Sequence, residues 1–168
     1  MIRLERNSLQ IAWIESPVGL LRAGVSQTAL HLLEFVGELP ADSKQLQAPT
    51  ALTPLLEQTR RELAEYFAGM RRRFEVPLSF PGTPFQERVW TALCNIRYGE
   101  RVSYLEQSRM VGDEKAIRAV AQANGQNPIA ILIPCHRVIN SDGTLGGYGG
   151  GLLRKQFLLD LERGDRLL

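Results

Sequence analysis

The tetrapeptide Pro134-Cys135-His136-Arg137 sets a thiol beside an imidazole and a guanidinium, the combination in this chain best suited to nucleophilic chemistry. The thiolate is the attacking species, and a free thiol with a pKa of about 8.5 is mostly protonated at neutral pH. Cationic neighbours and a base correct that deficit. His136 is the candidate base. Adjacent residues of an extended chain point to opposite sides, so a bridging water is expected between the two side chains. The apolar run Ile129–Ile133 predicts a short buried strand, ended by Pro134, which lacks the N–H that a ladder needs. Such a strand delivers Cys135 to a cleft. The competing reading of any cysteine is a small buried hydrophobe. Cys94 fits that description better, because Phe85, Val89, Trp90 and Leu93 recur around it at helical spacing and no histidine is adjacent.

The elements that must position this thiol divide into two groups. Leu9–Trp13, Leu20–Ala23 and Leu30–Val36 predict a small antiparallel sheet, with a turn at Ser16-Pro17-Val18-Gly19. A mixed loop covers residues 40–50. A helix follows, opened by Thr53 with Pro54 at its first position, striped inside by Leu55, Leu56, Leu63 and Phe67, and ended by Gly69. The segment Val76–Gly82, with prolines at 77 and 81, cannot be helical and reads as a linker. Beyond it, Thr83-Pro84-Phe85-Gln86 and Ser103-Tyr104-Leu105-Glu106 are capping boxes that open two helices. Asp113 is expected to cap a third helix running to about Ala123, and a closing helix spans about Leu152 to Arg163. The helices around Gly112-Asp113 form a helix-turn-helix pattern. The expected fold class is α+β, with an N-terminal α/β domain at 1–80 and a mostly helical C-terminal domain at 81–168.

Composition excludes several classes. No apolar run approaches the length of a membrane helix, and the start Met1-Ile2-Arg3-Leu4-Glu5-Arg6 lacks a signal-peptide core. Two cysteines and two histidines give no cluster with metal-ligand spacing, so no metal is expected. A cytoplasmic protein with reduced thiols follows as the expectation. The net charge of +2 is a weak signal for nucleic acid. The basic run Arg71-Arg72-Arg73 reads as a solvated turn after a helix.

A wheel of residues 115–124 puts Ile117, Val120 and Ala121 inside and Lys115, Arg118, Ala119, Gln122 and Ala123 outside. The outer face is cationic and small. Small residues let a backbone approach a minor groove, and one Arg can enter the base stack as wedges do. An ordinary amphipathic helix with a solvated face is the alternative, since helix-turn-helix patterns recur by chance.

The string from Gly99-Glu100-Arg101-Val102-Ser103-Tyr104, through Ile117-Arg118-Ala119-Val120, to Asn127–Val138 with its Pro-Cys-His-Arg core closely resembles the O6-alkylguanine-DNA alkyltransferases. The match runs from about Gly82 to Glu162; the first lobe resembles the family only in size, in its sheet plus helix and in Tyr66-Phe67-Ala68-Gly69. The resemblance implies a ribonuclease-H-like N-terminal lobe, a winged-helix-like DNA-binding unit, and direct transfer of an alkyl group from guanine O6, and from thymine O4, to Cys135. It also implies double-stranded DNA containing alkylated guanine as partner and no cofactor. A monomer is expected, with cooperative binding along DNA left open.

By the same resemblance, Arg118 fills the space left by a flipped nucleotide, with Ala119, Gln122 and Ala123 on the DNA-facing side. Tyr104 crowds a phosphate and donates to guanine, Asn127 ties the helix-turn-helix to the active-site loop, and Glu162 orients His136. Val138 presents its carbonyl to the guanine amine, and Tyr148, Gly149 and Gly150 line the base pocket with a backbone N–H near guanine O6. Some relatives carry Ser at the position of Gly149 and a second proline at that of Ala130, which is expected to widen the alkyl space.

The chemistry is then a displacement that leaves S-alkyl cysteine. A thioether has no good leaving group, so one turnover per molecule is expected. Three other readings compete: a lesion-binding protein without transfer, a Cys-His peptide hydrolase, and a regulator. The presence of Cys135 weighs against the first.

Overall fold

The computed structural model describes residues 9–37 and 53–165, and the predicted loop at 40–50 lies outside them. Two compact units divide the chain, Met1–Ser79 and Phe80–Leu168.

The first unit holds β1 (Gln10–Ile14), β2 (Leu21–Val25) and β3 (Leu30–Phe35) in a three-stranded antiparallel sheet of order β1-β2-β3. Alternation decides its faces, interrupted by a register shift between Gly24 and Val25 that puts both Leu30 and Leu33 inside. Ala12, Ile14, Leu21, Ala23, Val25, Leu30 and Leu33 are buried with Leu56, Leu63, Tyr66 and Phe67 of α1 (Pro54–Phe67), while Arg22 and Glu34 pair on the opposite face. Thr53 caps α1 as expected, and Gly69 follows it at φ 72°. Part of the predicted linker belongs to this unit. Leu30 N–H donates to Pro77 O at 2.8 Å and Ser79 N–H donates to Leu30 O at 3.0 Å, so the chain leaves the sheet only after Ser79. Arg71 is held by Glu65 at 2.6 Å, leaving Arg72 and Arg73 exposed.

The second unit contains α2 (Pro84–Cys94), β4 (Val102–Ser103), α3 (Tyr104–Val111), α4 (Ile117–Gly125), β5 (Val138–Ile139) and α5 (Leu152–Arg163), with β4 and β5 pairing in parallel. Both capping boxes are formed, at Thr83 and Ser103. Gly112 closes α3 at φ 94°, a conformation most side chains resist. Asp113 does not cap α4. Its carboxylate accepts from Lys115 N–H at 3.0 Å, forming a tight turn, and α4 begins four residues later without a side-chain cap.

Three further expectations need correction. Ile129–Ile133 is not a strand: Ile133 N–H bonds back to Ile129 O at 3.0 Å, and Ile131 takes φ 71°. The run is nonetheless buried throughout except at Ala130, which is why its hydrophobicity misled. An unbroken apolar stretch reports burial, not conformation. Cys94 is exposed, because the inner stripe of α2 is Val89, Trp90, Ala92 and Leu93. On α4 the buried residues are Val120, Ala123 and Asn124, so Ala123 faces the core while Ile117 and Ala121 face out.

Candidate active site

Cys135 opens a turn of 3-10 helix, Cys135–Arg137, that follows the buried turn. Asn127 builds that geometry. Its Nδ2 donates to Ile133 O at 2.7 Å and to Cys135 Sγ at 3.2 Å, and its Oδ1 accepts from Ile129 N–H at 3.0 Å. One amide thus satisfies a buried backbone and touches the thiol, in a site two residues beyond α4.

Behind the thiol lies a buried charge cluster. His136 Nε2 lies 2.7 Å from Glu162 Oε1, and Arg137 grips the same carboxylate through Nε at 2.9 Å and Nη2 at 3.0 Å. Arg137 Nη1 also donates to Ile96 O at 2.6 Å, and Gly99 N–H donates to Glu162 Oε2 at 3.2 Å. Burial alone would raise the Glu162 carboxyl, but its bonds and charges from His136 and Arg137 hold it well below the usual carboxylate range. An ionised carboxylate only accepts, so Nε2 carries the imidazole proton and Nδ1 is the basic nitrogen. Burial lowers the His136 pKa despite Glu162, which keeps the ring neutral. Among the described residues the buried Nδ1 has no hydrogen-bond partner, Cys135 Sγ included. The 3-10 turn replaces the expected extended chain, yet the consequence for direct contact is the same.

In front of the thiol is a cavity of about 410 Å³ lined by Tyr104, Arg118, Asn124, Cys135, Asn140 and Tyr148, with Ile117, Ala121, Gly125, Gly147 and Gly149 between them. Of the residues singled out from sequence, Tyr104, Arg118, Cys135, Tyr148 and Gly149 meet here, while Asn127, His136 and Glu162 stand behind. Val138 is fully buried beside β4, and Gly150 O is engaged by Arg154 at 3.0 Å; neither lines the cavity. Ala119 and Gln122 are exposed on α4 and are not among the residues that line it, and Ala130 sits half-buried in the turn before Cys135. Burial raises the pKa of Tyr104, with Cys135 adding to the shift, and raises that of Tyr148 still further. Both are neutral phenols at pH 7.

Lys155, not anticipated, closes the side of the site. It is fully buried, its Nζ donates to Leu145 O and, at 3.1 Å, to Gly147 O, and it lies 5.9 Å from the centre of the Tyr104 ring. Burial lowers its pKa to about 8, opposed by Cys135. A signal existed in the sequence: Lys155 and Glu162 are two helical turns apart, on the stripe that carries Leu158 and Leu159. Polar residues on an apolar stripe invite a functional question. Gly146, at φ 68°, passes so near Tyr104 and Asn140 that a Cβ there would meet Tyr104 at 3.0 Å and Asn140 Oδ1 at 3.1 Å.

A helix pair carrying the cation Arg118 on a cavity that Cys135 also lines, with a His–Glu pair behind, defines the class of proteins that use a nucleophilic or acceptor cysteine beside a cationic helix. Comparison with known proteins narrows the class. Residues 84–164 match the model of the 6-O-methylguanine DNA methyltransferase DNA-binding domain. The chain is 51% identical to the constitutive methylated-DNA–protein-cysteine methyltransferase of Bacillus subtilis over 89% of this chain and 92% of that protein. It is 46% identical to the corresponding protein of Mycolicibacterium paratuberculosis over 89% and 90%. Among solved structures it is similar to the Mycobacterium tuberculosis O6-methylguanine methyltransferase, at TM-score 0.81 and 42% identity over 93% of each chain, and to the DNA complex of the same protein at 0.78 over 90% and 91%. The chain belongs to the methylated-DNA–protein-cysteine methyltransferase family.

Proposed function

We infer that the protein repairs alkylated DNA by moving the alkyl group of O6-alkylguanine onto Cys135, once per molecule. The observation that carries this reading is the position of Cys135, at the floor of a base-sized cavity with the Asn127 amide on its sulfur and the His136–Glu162 pair behind it.

The steps follow from the groups present. The target base leaves the stack, at a cost of a few kcal/mol, and enters the cavity. Arg118, at the cavity mouth on α4, occupies the space it leaves. The thiol proton passes through a water to His136 Nδ1, and Glu162 stabilises the imidazolium that results. Sγ attacks the alkyl carbon in line with the C–O6 bond. An S–C bond forms, the C–O bond breaks, and its electron pair moves onto guanine. Tyr104, a neutral phenol, donates to a ring nitrogen as that charge grows. The loop of Gly147, Tyr148 and Gly149 walls the base, and its backbone supplies donors for O6. The product is a thioether that no neighbouring group removes.

Intact-mass measurement after incubation with a duplex containing O6-methylguanine tests the reading. A gain of about 14 Da, a methyl replacing a proton on sulfur, is expected at Cys135 and is lost in Cys135→Ser. Disappearance of the lesion with the thiol still free would reject it.

A further inference from the structure

Two amides face each other between α3 and α4. Gln107 Nε2 donates to Asn124 Oδ1 at 2.8 Å, and Asn124 Nδ2 donates to Gln107 Oε1 at 2.7 Å. Gln107 is fully buried and Asn124 is 7% exposed. The ring of two bonds sits at a junction. Gln107 is one turn along α3 from Tyr104, whose carbonyl is itself held by Ser108 Oγ at 2.8 Å. Asn124 lines the cavity, and its carbonyl accepts from Asn127 N–H at 3.2 Å. Asn127 touches the thiol.

Stability alone does not explain the pair. Replacing both members of a buried hydrogen-bonded pair by apolar groups of like shape is often neutral or better. What an amide pair adds is direction. Trp90 Nε1 donates to Ala123 O at 2.9 Å and so ties the last turn of α4 to α2, but toward α3 the other buried side chains of α4, Val120 and Ala123, are apolar and tolerant of rotation, and the amide pair supplies the directional bonds there. Arg118 lies six residues before Asn124, so rotation of α4 about its axis swings Arg118 away from the cavity that Tyr104 borders. We propose that the Gln107–Asn124 amide pair is a positioning device that locks α4 in register with α3, so that Arg118 and Tyr104 converge on one extruded base. The proposal rests on the transfer reaction inferred above and adds a residue pair whose effect is confined to substrates held in a duplex.

The test compares second-order rates of Cys135 alkylation by an O6-methylguanine duplex and by free O6-benzylguanine, using the full chain and intact mass. Gln107→Leu is expected to slow the duplex reaction at least tenfold and the free-base reaction no more than threefold. An unchanged duplex rate, or equal slowing of both, overturns the proposal. Gln107→Glu keeps the shape and removes the Nε2 group that donates to Asn124 while the carboxylate is ionised. Burial raises the pKa of such a carboxyl, and its protonated form again both donates and accepts. Its duplex rate relative to wild type should therefore climb between pH 8 and pH 6. A flat ratio overturns the proposal even if the Leu variant fails to fold. If the wild-type protein gains no mass, the transferase reading falls and this one with it; if it gains mass and both variants match it on duplex, only the amide pair loses its role.

Discussion

The thiol of Cys135 is pulled in two directions. Burial pushes its pKa up, while the Asn127 amide and the Lys155 ammonium draw it down. Lys155 is the only one of these that also titrates near the pH of reaction, at about 8. Lys155→Met removes the charge and frees the two carbonyls of the pocket loop. The rate of transfer against pH should then shift to higher pH by roughly one unit, the size expected for loss of one nearby opposite charge. A profile that keeps its midpoint while losing amplitude would show that Lys155 only ties the loop. Of the residues at this scale, Cys135, His136 and Arg137 were legible as a motif because their chemistry is adjacent in sequence. Lys155, Asn124 and Asn140 were not, because only folding brings them to the thiol.

At the level of elements, α4 carries the sharpest tests. Arg118→Ala should slow repair of duplex at least tenfold while reaction with a free modified base stays within about threefold, since only the duplex contends for the extruded base. Comparable rates on both substrates across wild type and variant would remove the wedge role. The corrected face of α4 gives a second contrast. Ala123 is 2% exposed and its carbonyl accepts from Trp90 Nε1 at 2.9 Å, whereas Gln122 is exposed. Ala123→Glu buries an unpaired carboxylate and should cost about 3 kcal/mol or more in denaturant unfolding; Gln122→Glu should stay within about 0.5 kcal/mol. Equal costs would contradict the assigned register. Sequence periodicity places this helix but rotates it, because apolar Ile117 reads as a core residue and is 39% exposed at the cavity. The helix starts, by contrast, were legible at Thr53, Thr83 and Ser103, where a side chain bonds the backbone three residues on and the signal is wholly local. The turn at Ile129–Ile133 was opaque for the opposite reason: its shape depends on Asn127 and on burial.

For the whole molecule, the buried His136–Glu162–Arg137 cluster dictates how stability depends on acid. Both titrating members have folded pKa values below their unfolded ones: burial lowers that of His136, and Glu162, despite burial, is held down by its partners. A depressed folded pKa means that the unfolded chain binds more protons, so stability falls as pH falls. His136 acts first, below about pH 6.5, and Glu162 follows below about 4.3. Thermal melts should show Tm dropping from pH 7 to pH 5, before most carboxylates titrate, and His136→Gln should flatten that early decline. A wild-type Tm that is level over this range would argue against a neutral imidazole in the folded state. No helix among the described residues is long and apolar enough to cross a membrane.

Trp90 is 3% exposed, stands edge-on to Phe80 at 6.2 Å between ring centres, and bonds the last turn of α4. The indole is therefore an optical reporter wired to the same stretch of helix that carries Asn124. Any adjustment of that turn when a nucleotide enters alters the hydrogen bond of an emitting group, so stopped-flow fluorescence can follow base capture while mass follows formation of the S–C bond.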